Sequence, residues 1–127
     1  MLKSCLQALL NLFVKRSETE FIGAQVLADS WTKRIEYYTN YIGNMNVTNT
    51  APSNGWIYVT CGNQLTLAYL SNGTSGLGTR LQNLTDVLQW PHLYVPVRKG
   101  DQWIVAINVK DGQTEGTSVR FLPSIGS

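Results

Sequence analysis

Few residues of this chain carry charge: 14% of 127, against roughly a quarter in an average soluble domain. The formal net charge is only +2 and no run of Lys or Arg exceeds two residues, which argues against a nucleic-acid partner. There are two cysteines, Cys5 and Cys61, and one histidine, His92. That is too few for a disulfide framework or for the about four ligands of a structural zinc site. No metal and no other cofactor is therefore expected. The one strongly apolar stretch, within residues 1–14, falls short of the roughly 20 residues that span a bilayer. Lys15-Arg16-Ser17-Glu18 follows it in place of a small-residue cleavage site, so it does not read as a signal peptide.

What the chain has instead is β patterning, clearest in its last third. Leu93, Val95 and Val97 alternate with Tyr94, Pro96 and Arg98, the period of two of a half-buried strand. Arg98-Lys99-Gly100-Asp101 reads as a turn, and Trp103, Val105, Ile107 and Val109 share one face of a second strand. Lys110-Asp111-Gly112 breaks that strand with a hairpin signal, and Val119 and Phe121 flank Arg120 in a third. Three antiparallel strands in succession are expected here.

Earlier in the chain, Leu2, Cys5, Leu6, Leu9, Leu10 and Phe13 recur at helical spacing, which predicts an amphipathic helix over the first 16 or so residues. Within it, Leu2, Leu6, Leu9 and Phe13 are spaced 4-3-4, the seam of a coiled coil. An isolated helix this short is marginal in water. It needs a partner, whether sister helices of an oligomer, a larger assembly, or its own β domain.

Glu20–Leu27 and Lys33–Ile42 read as the first strands, the second placing Ile35, Tyr37, Thr39 and Tyr41 on one face. Gly43–Asn54 is rich in Asn and Thr, and Pro52 and Asn54-Gly55 turn the chain into Trp56–Cys61. Gln64–Leu70 follows after Gly62-Asn63, a link that suits a tight hairpin. In that strand Leu65, Leu67 and Tyr69 line one face, opposite Thr66, Ala68 and Leu70. Ser71–Arg80 concentrates Gly73, Gly76 and Gly78 and reads as a loop, lacking the Lys-Ser/Thr ending of a phosphate-binding loop. Three Asn-X-Thr triplets, at Asn46, Asn72 and Asn83, read as chance matches.

Catalytic chemistry finds no foothold. His92 has no nucleophile or acid at a telling spacing, and none of the eight carboxylates is singled out as half of a glycosidase pair. Tyr37, Tyr38 and Tyr41, with Trp90, are the candidate ligand contacts, because aromatic rings stack on sugars or bases. Cross-strand aromatic pairing explains the tyrosines as well. The tryptophans at 31, 56, 90 and 103 suit a sugar platform or simply a small β core.

Three stretches carry a resemblance: T-A-P-S-N-G-W-I-Y-V (Thr50–Val59), V-P-V-R-K-G-D (Val95–Asp101) and R-F-L-P-S-I-G-S (Arg120–Ser127). They resemble the small jelly-roll domains of tailed-phage and prophage virion proteins. There the first begins a strand, the second precedes a strand of the opposite sheet and the third closes the domain. The resemblance implies a homotrimer of tumour-necrosis-factor- or C1q-like type at a tail, knob, fibre or head-decoration position. It implies other virion proteins as partners and a host surface glycan as a ligand. Leu2, Leu6, Leu9 and Phe13 would then carry helix association as a trimer stem or virion anchor.

The expectation is thus a mainly β protein: an antiparallel sandwich of jelly-roll type over residues 18–127, preceded by the amphipathic helix over 1–17. Its expected function is a non-enzymatic structural or adhesion protein, made in the bacterial cytoplasm and located in a virion, with no membrane association. The alternatives are a monomeric carbohydrate-binding module using Tyr37, Tyr38, Tyr41 or Trp90, and, less favoured, a small polysaccharide hydrolase. The loops at Gly73–Gly78 and Gly112–Gly116 are the expected partner contacts.

Overall fold

Alternating apolar side chains build eight strands in the computed structural model, which describes residues 30–124. They are β1 (Ile35–Tyr41), β2 (Met45–Thr50), β3 (Gly55–Thr60), β4 (Leu65–Asn72), β5 (Gly78–Gln82), β6 (His92–Val97), β7 (Gln102–Val109) and β8 (Thr117–Pro123). The helix expected around Leu2, Leu6, Leu9 and Phe13, together with Cys5 and the strand expected at Glu20–Leu27, lies outside the described residues. So does the end of the Arg120–Ser127 stretch.

The strands form two four-stranded antiparallel sheets, ordered β1-β8-β3-β6 and β2-β7-β4-β5. Only β4 and β5 are neighbours both in sequence and in a sheet; every other connection carries the chain across to the opposite layer. This is the eight-stranded jelly roll, as expected. Its core is the two inner faces: Ile57 and Val59 of β3, Leu93, Val95 and Val97 of β6, and Val119 and Phe121 of β8 meet Leu65, Ala68 and Leu70 of β4 and Trp103, Val105 and Ile107 of β7. A fully buried side chain of this size contributes about 1.5–3 kcal/mol.

The hairpins read from the turn residues are corrected. Gly62-Asn63 does turn the chain, but β3 bonds to β6 and β8, with Ile57 opposite Val95 and Phe121, and β4 bonds to β5 and β7. Likewise β6, β7 and β8 do not pair in succession; β7 lies in the sheet opposite the other two. The physical reason is the apolar stripe. A hairpin puts both stripes on the same side of one sheet, still exposed, whereas crossing to the other layer sets them face to face across a gap of about 10 Å.

Three local readings change as well. In β4 a bulge between Leu65 and Leu67 shifts the phase, so Leu65, Ala68 and Leu70 are buried while Leu67 turns outward. In β1, irregularities at Glu36/Tyr38 and Tyr38/Tyr41 break the single face expected of Ile35, Tyr37, Thr39 and Tyr41. Finally, the glycine-rich stretch is loop only in part, since Gly78–Gln82 is the edge strand β5.

The turns themselves stand where expected, with Gly100 and Gly112 at φ of 89° and 91°. Asparagine holds many of the loops. Asn40 Oδ1 accepts from Gly116 N, Asn44 from Val109 N, Asn54 from Lys99 N, Asn63 from Thr114 and Glu115 N, Asn72 from Thr74 and Ser75 N, and Asn83 from Thr85 and Asp86 N. A chain poor in charge thus satisfies its loop donors with neutral amides. Asn72 is itself buried, which removes one of the Asn-X-Thr triplets from the surface.

The sandwich has two distinct ends. Ser30 Oγ donates to Pro123 O at 2.6 Å, so the chain joins β1 and leaves β8 at one end, here called proximal. The β2–β3, β4–β5 and β6–β7 loops share it. The β1–β2, β3–β4, β5–β6 and β7–β8 loops gather at the opposite, distal end.

Candidate functional site: two exposed aromatic surfaces

Strand alternation sends Trp56 and Tyr58 of β3, His92, Tyr94 and Pro96 of β6, and Arg120 and Leu122 of β8 to the outer face of the β1-β8-β3-β6 sheet. The register aligns Glu36, Arg120, Tyr58 and Tyr94 in one row across all four strands, with Leu122, Trp56 and Pro96 in the next. The Trp56 and Tyr94 rings lie 5.9 Å apart. Tyr58 Oη and His92 Nδ1 share a hydrogen bond of 2.9 Å. Trp31 adds a third large ring, between the guanidinium groups of Arg34 at 4.4 Å and Arg120 at 5.1 Å.

Trp31, Trp56 and Tyr94 remain 41%, 43% and 63% exposed. The outer face of the other sheet is different: its exposed residues are Asn46, Thr48 and Thr50 of β2, Gln102 and Asn108 of β7, and Arg80 and Gln82 of β5, beside half-buried Leu67, Tyr69 and Ile104. Among the described residues, every exposed large hydrophobic on a strand belongs to β1, β3 or β6.

The second surface is at the distal end, around Trp90. Its backbone N donates to Gly62 O at 3.0 Å, and its indole Nε1 donates to the Glu115 carboxylate. Its φ is +54°, a left-handed conformation unusual for so bulky a residue and costing of order 1–3 kcal/mol. The ring is nonetheless 54% exposed, so this tryptophan is held in place without being buried. Asn63 pins the same loop, accepting from the backbone N–H of Thr114 and Glu115 at 3.0 Å each. Beside it Gln64 N donates to Gln89 Oε1 at 3.3 Å and Gln89 Nε2 to Gln64 Oε1 at 3.2 Å.

The four sequence-named ligand candidates do not form one site. Tyr37 leans on the core, its ring 5.1 Å from that of Trp103. Tyr38 meets Tyr41 edge-on at 5.5 Å. Tyr41 and Trp90 do reach the same end, flanking the loop at 115–117: Tyr41 pairs with Thr117, and Trp90 bonds to Glu115. Of the four tryptophans, Trp103 is core and the other three divide between the two surfaces. Tyr94 stood in the sequence only as the outward partner in an alternation, and nothing joined Trp56 to it as a contact; the signal was that alternation, since Trp56 and Tyr94 fall on the polar phase of β3 and β6. The loops at Gly73–Gly78 and Gly112–Gly116 lie at opposite ends.

The titratable groups serve structure. Cys61 is a buried free thiol that burial pushes up to about 12, leaving it protonated and unreactive. A proximal cleft of about 460 Å³ includes Asn72, Arg98 and Asp101 in its lining. Asp101 Oδ2 there accepts from Arg98 N at 2.9 Å and Asn72 Nδ2 at 2.8 Å, bonds that hold its carboxyl below the usual range. The polar groups of the cleft thus bind one another. Among the described residues no group of His, Cys, Asp and Glu could hold a metal ion, and no helix is long and apolar enough to cross a membrane.

Glu36 accepts from Thr39 Oγ1 at 2.6 Å and Arg34 Nε at 2.7 Å, which lowers its pKa from 4.5 to about 2. The folded value is depressed, so the stabilisation is present above the unfolded value and fades as pH falls from 4.5 toward 2. Glu36→Gln is expected to flatten that part of a stability-against-pH curve. An unaltered acid limb in the variant contradicts the assignment.

No family model, curated protein or solved structure matches the chain, so the role of both surfaces is argued from their own chemistry.

Proposed function

We propose that this chain is a non-enzymatic structural or adhesion protein of tailed-phage or prophage origin. It associates as a homotrimer and is held in a virion through its N-terminal helix. The observation that carries the reading is the contrast between the outer faces of the two sheets. One presents Trp31, Trp56 and Tyr94 to solvent, and the other Asn, Thr, Gln and Arg80, with no large apolar side chain exposed. A concentrated aromatic face on a small domain marks a contact surface, and Trp, Tyr and Arg are the residues that dominate such contacts. Low overall charge supports the same reading, since a subunit partly covered by its neighbours needs less charged surface. In a three-fold ring the aromatic face of one subunit meets a different surface of the next. The resemblance at Thr50–Val59, Val95–Asp101 and Arg120–Ser127 supports the number three and the virion setting.

Light scattering after size exclusion tests this. The full chain is expected at about three times its 14.1 kDa, and Trp56→Asp with Tyr94→Asp at the monomer mass with unchanged far-UV circular dichroism. A monomeric unsubstituted chain sinks the reading. Leu6→Asp with Leu9→Asp is expected to lower the mass as well, leaving the β domain folded; unchanged mass there removes the helix from association while keeping the face.

A further inference from the structure

The anchoring proposed above, through the residues that precede Ser30, gives the sandwich a direction. Residue 30 and the end of β8 meet at the proximal end, bonded through Ser30 Oγ and Pro123 O. The distal end is therefore the one presented away from the anchor. There stands the one described tryptophan that is both more than half exposed and tied down at backbone and side chain.

We propose that Trp90, with Glu115, Gln89 and Asn63 around it, is a carbohydrate-binding site for neutral hexopyranose units. This rests on the adhesion part of the reading above and names its ligand class. A pyranose offers an apolar face of C–H groups ringed by hydroxyls, and both halves have a counterpart here. The exposed indole supplies a flat π surface for the C–H face. Stacking on a ring already fixed in position costs no side-chain ordering on binding, and the left-handed backbone and two hydrogen bonds at Trp90 do that fixing. The Glu115 carboxylate supplies a charge-assisted acceptor for a sugar hydroxyl. Gln89, bonded once at each end of its amide to Gln64, retains one N–H and one lone pair, and Asn63 retains the second hydrogen of Nδ2.

The same carboxylate sets selectivity. One negative charge against the ring disfavours uronic and sialic acids, so the site selects neutral hexoses and N-acetylhexosamines. Tyr41, across the 115–117 loop and 42% exposed, extends the apolar surface toward a second sugar unit. A single stacked sugar binds weakly, and three copies on one trimer raise the avidity without any new contact.

The test is saturation-transfer NMR on the full chain with a panel of methyl glycosides of neutral hexopyranoses, N-acetylhexosamines and hexuronic acids. Transfer is expected to one face of at least one neutral sugar and to no uronic acid. Trp90→Ala is expected to weaken binding at least about tenfold, the loss of one stacked ring. Trp90→Phe, which keeps a ring but loses the Nε1 donor, retains binding at reduced affinity. Glu115→Gln keeps an acceptor for the indole and admits the uronic acids. No transfer to any sugar overturns the proposal, as does binding unchanged in both Trp90 variants or a uronic acid preferred by the unsubstituted chain. Should Trp90→Ala not fold, the Phe and Gln variants decide. Trp56→Asp with Tyr94→Asp is expected to keep the sugar signal while losing the trimer, so failure of assembly and failure of this site read out separately.

Discussion

Gly62→Ala is expected to force apart two loops at the distal end of the sandwich and to remove a large share of the domain's stability. A Cβ at residue 62 would stand 1.7 Å from the Glu115 carbonyl oxygen and 2.4 Å from its carbon. Both obstacles are backbone, held by Asn63, whose N donates to that carbonyl at 3.2 Å while its Oδ1 takes the next loop's amides. The two loops must separate, at about 3 kcal/mol or more, the upper end of the usual overpacking range. The Gly62 carbonyl is also the acceptor for Trp90 N, so sugar binding is expected to fall with stability. Gly76→Ala is the contrast: nothing lies within 4 Å of a Cβ there, and only its φ of +82° is strained, at about 1 kcal/mol. Denaturant midpoints of the two variants check the prediction. Equal shifts overturn the close-approach account of Gly62.

Trp103→Ala carries an effect of similar size in the middle of the core. Trp103 is the largest fully buried side chain, it is the second residue of β7, and the Tyr37 ring packs against it at 5.1 Å. Its removal leaves a void that neighbours on two sheets cannot fill, at about 3–5 kcal/mol out of a total of about 5–15. Trp103→Phe is expected to cost much less. It keeps most of the ring and deletes an indole Nε1 that is buried without an acceptor, a group whose desolvation already penalises the fold. Calorimetric unfolding of both variants is the measurement; a Phe variant as unstable as the Ala variant contradicts this packing argument.

The functional reading joins these structural demands to a direction. The proximal end joins Ser30 to the end of β8, and its cleft is filled with hydrogen bonds between Asn72, Asp101 and the Arg98 backbone. The aromatic sheet face points sideways, where a neighbouring subunit would stand. The distal end carries a tryptophan held at some cost in backbone strain and left open to solvent. On the function proposed above, anchor, neighbour and ligand would occupy three different parts of one small sandwich.

Much of this architecture was legible residue by residue. Leu93, Val95 and Val97, then Trp103, Val105 and Ile107, then Val119 and Phe121 are buried as their alternation requires. Glycine at 100 and 112 takes the positive φ that those turns called for. The stretch Val95–Asp101 leads from β6 into β7 of the opposite sheet. The bulge in β4 and the breaks in β1 were not legible, because a shift of one residue between neighbouring strands leaves no mark in either strand alone.

The candidate site was legible only in pieces. Trp90 and Tyr41 stood out as aromatic residues, but Glu115 and Gly62 had no visible tie to either. Trp56 and Tyr94 sit in strands whose other faces supply the core, and nothing local distinguishes an outward ring that is covered from one that is not.

The sequence by itself determined where β3, β4, β6, β7 and β8 lie and which face of most of them is apolar, but not β2 or β5, which stand in stretches with no such alternation. Those properties come from side-chain alternation and turn chemistry within a few residues. Only the tertiary structure decided which strands pair, which loops meet, and which rings stay exposed. A turn residue reverses the chain equally well into the same sheet or across to the other, and the choice is made by distant apolar stripes that must be buried against each other.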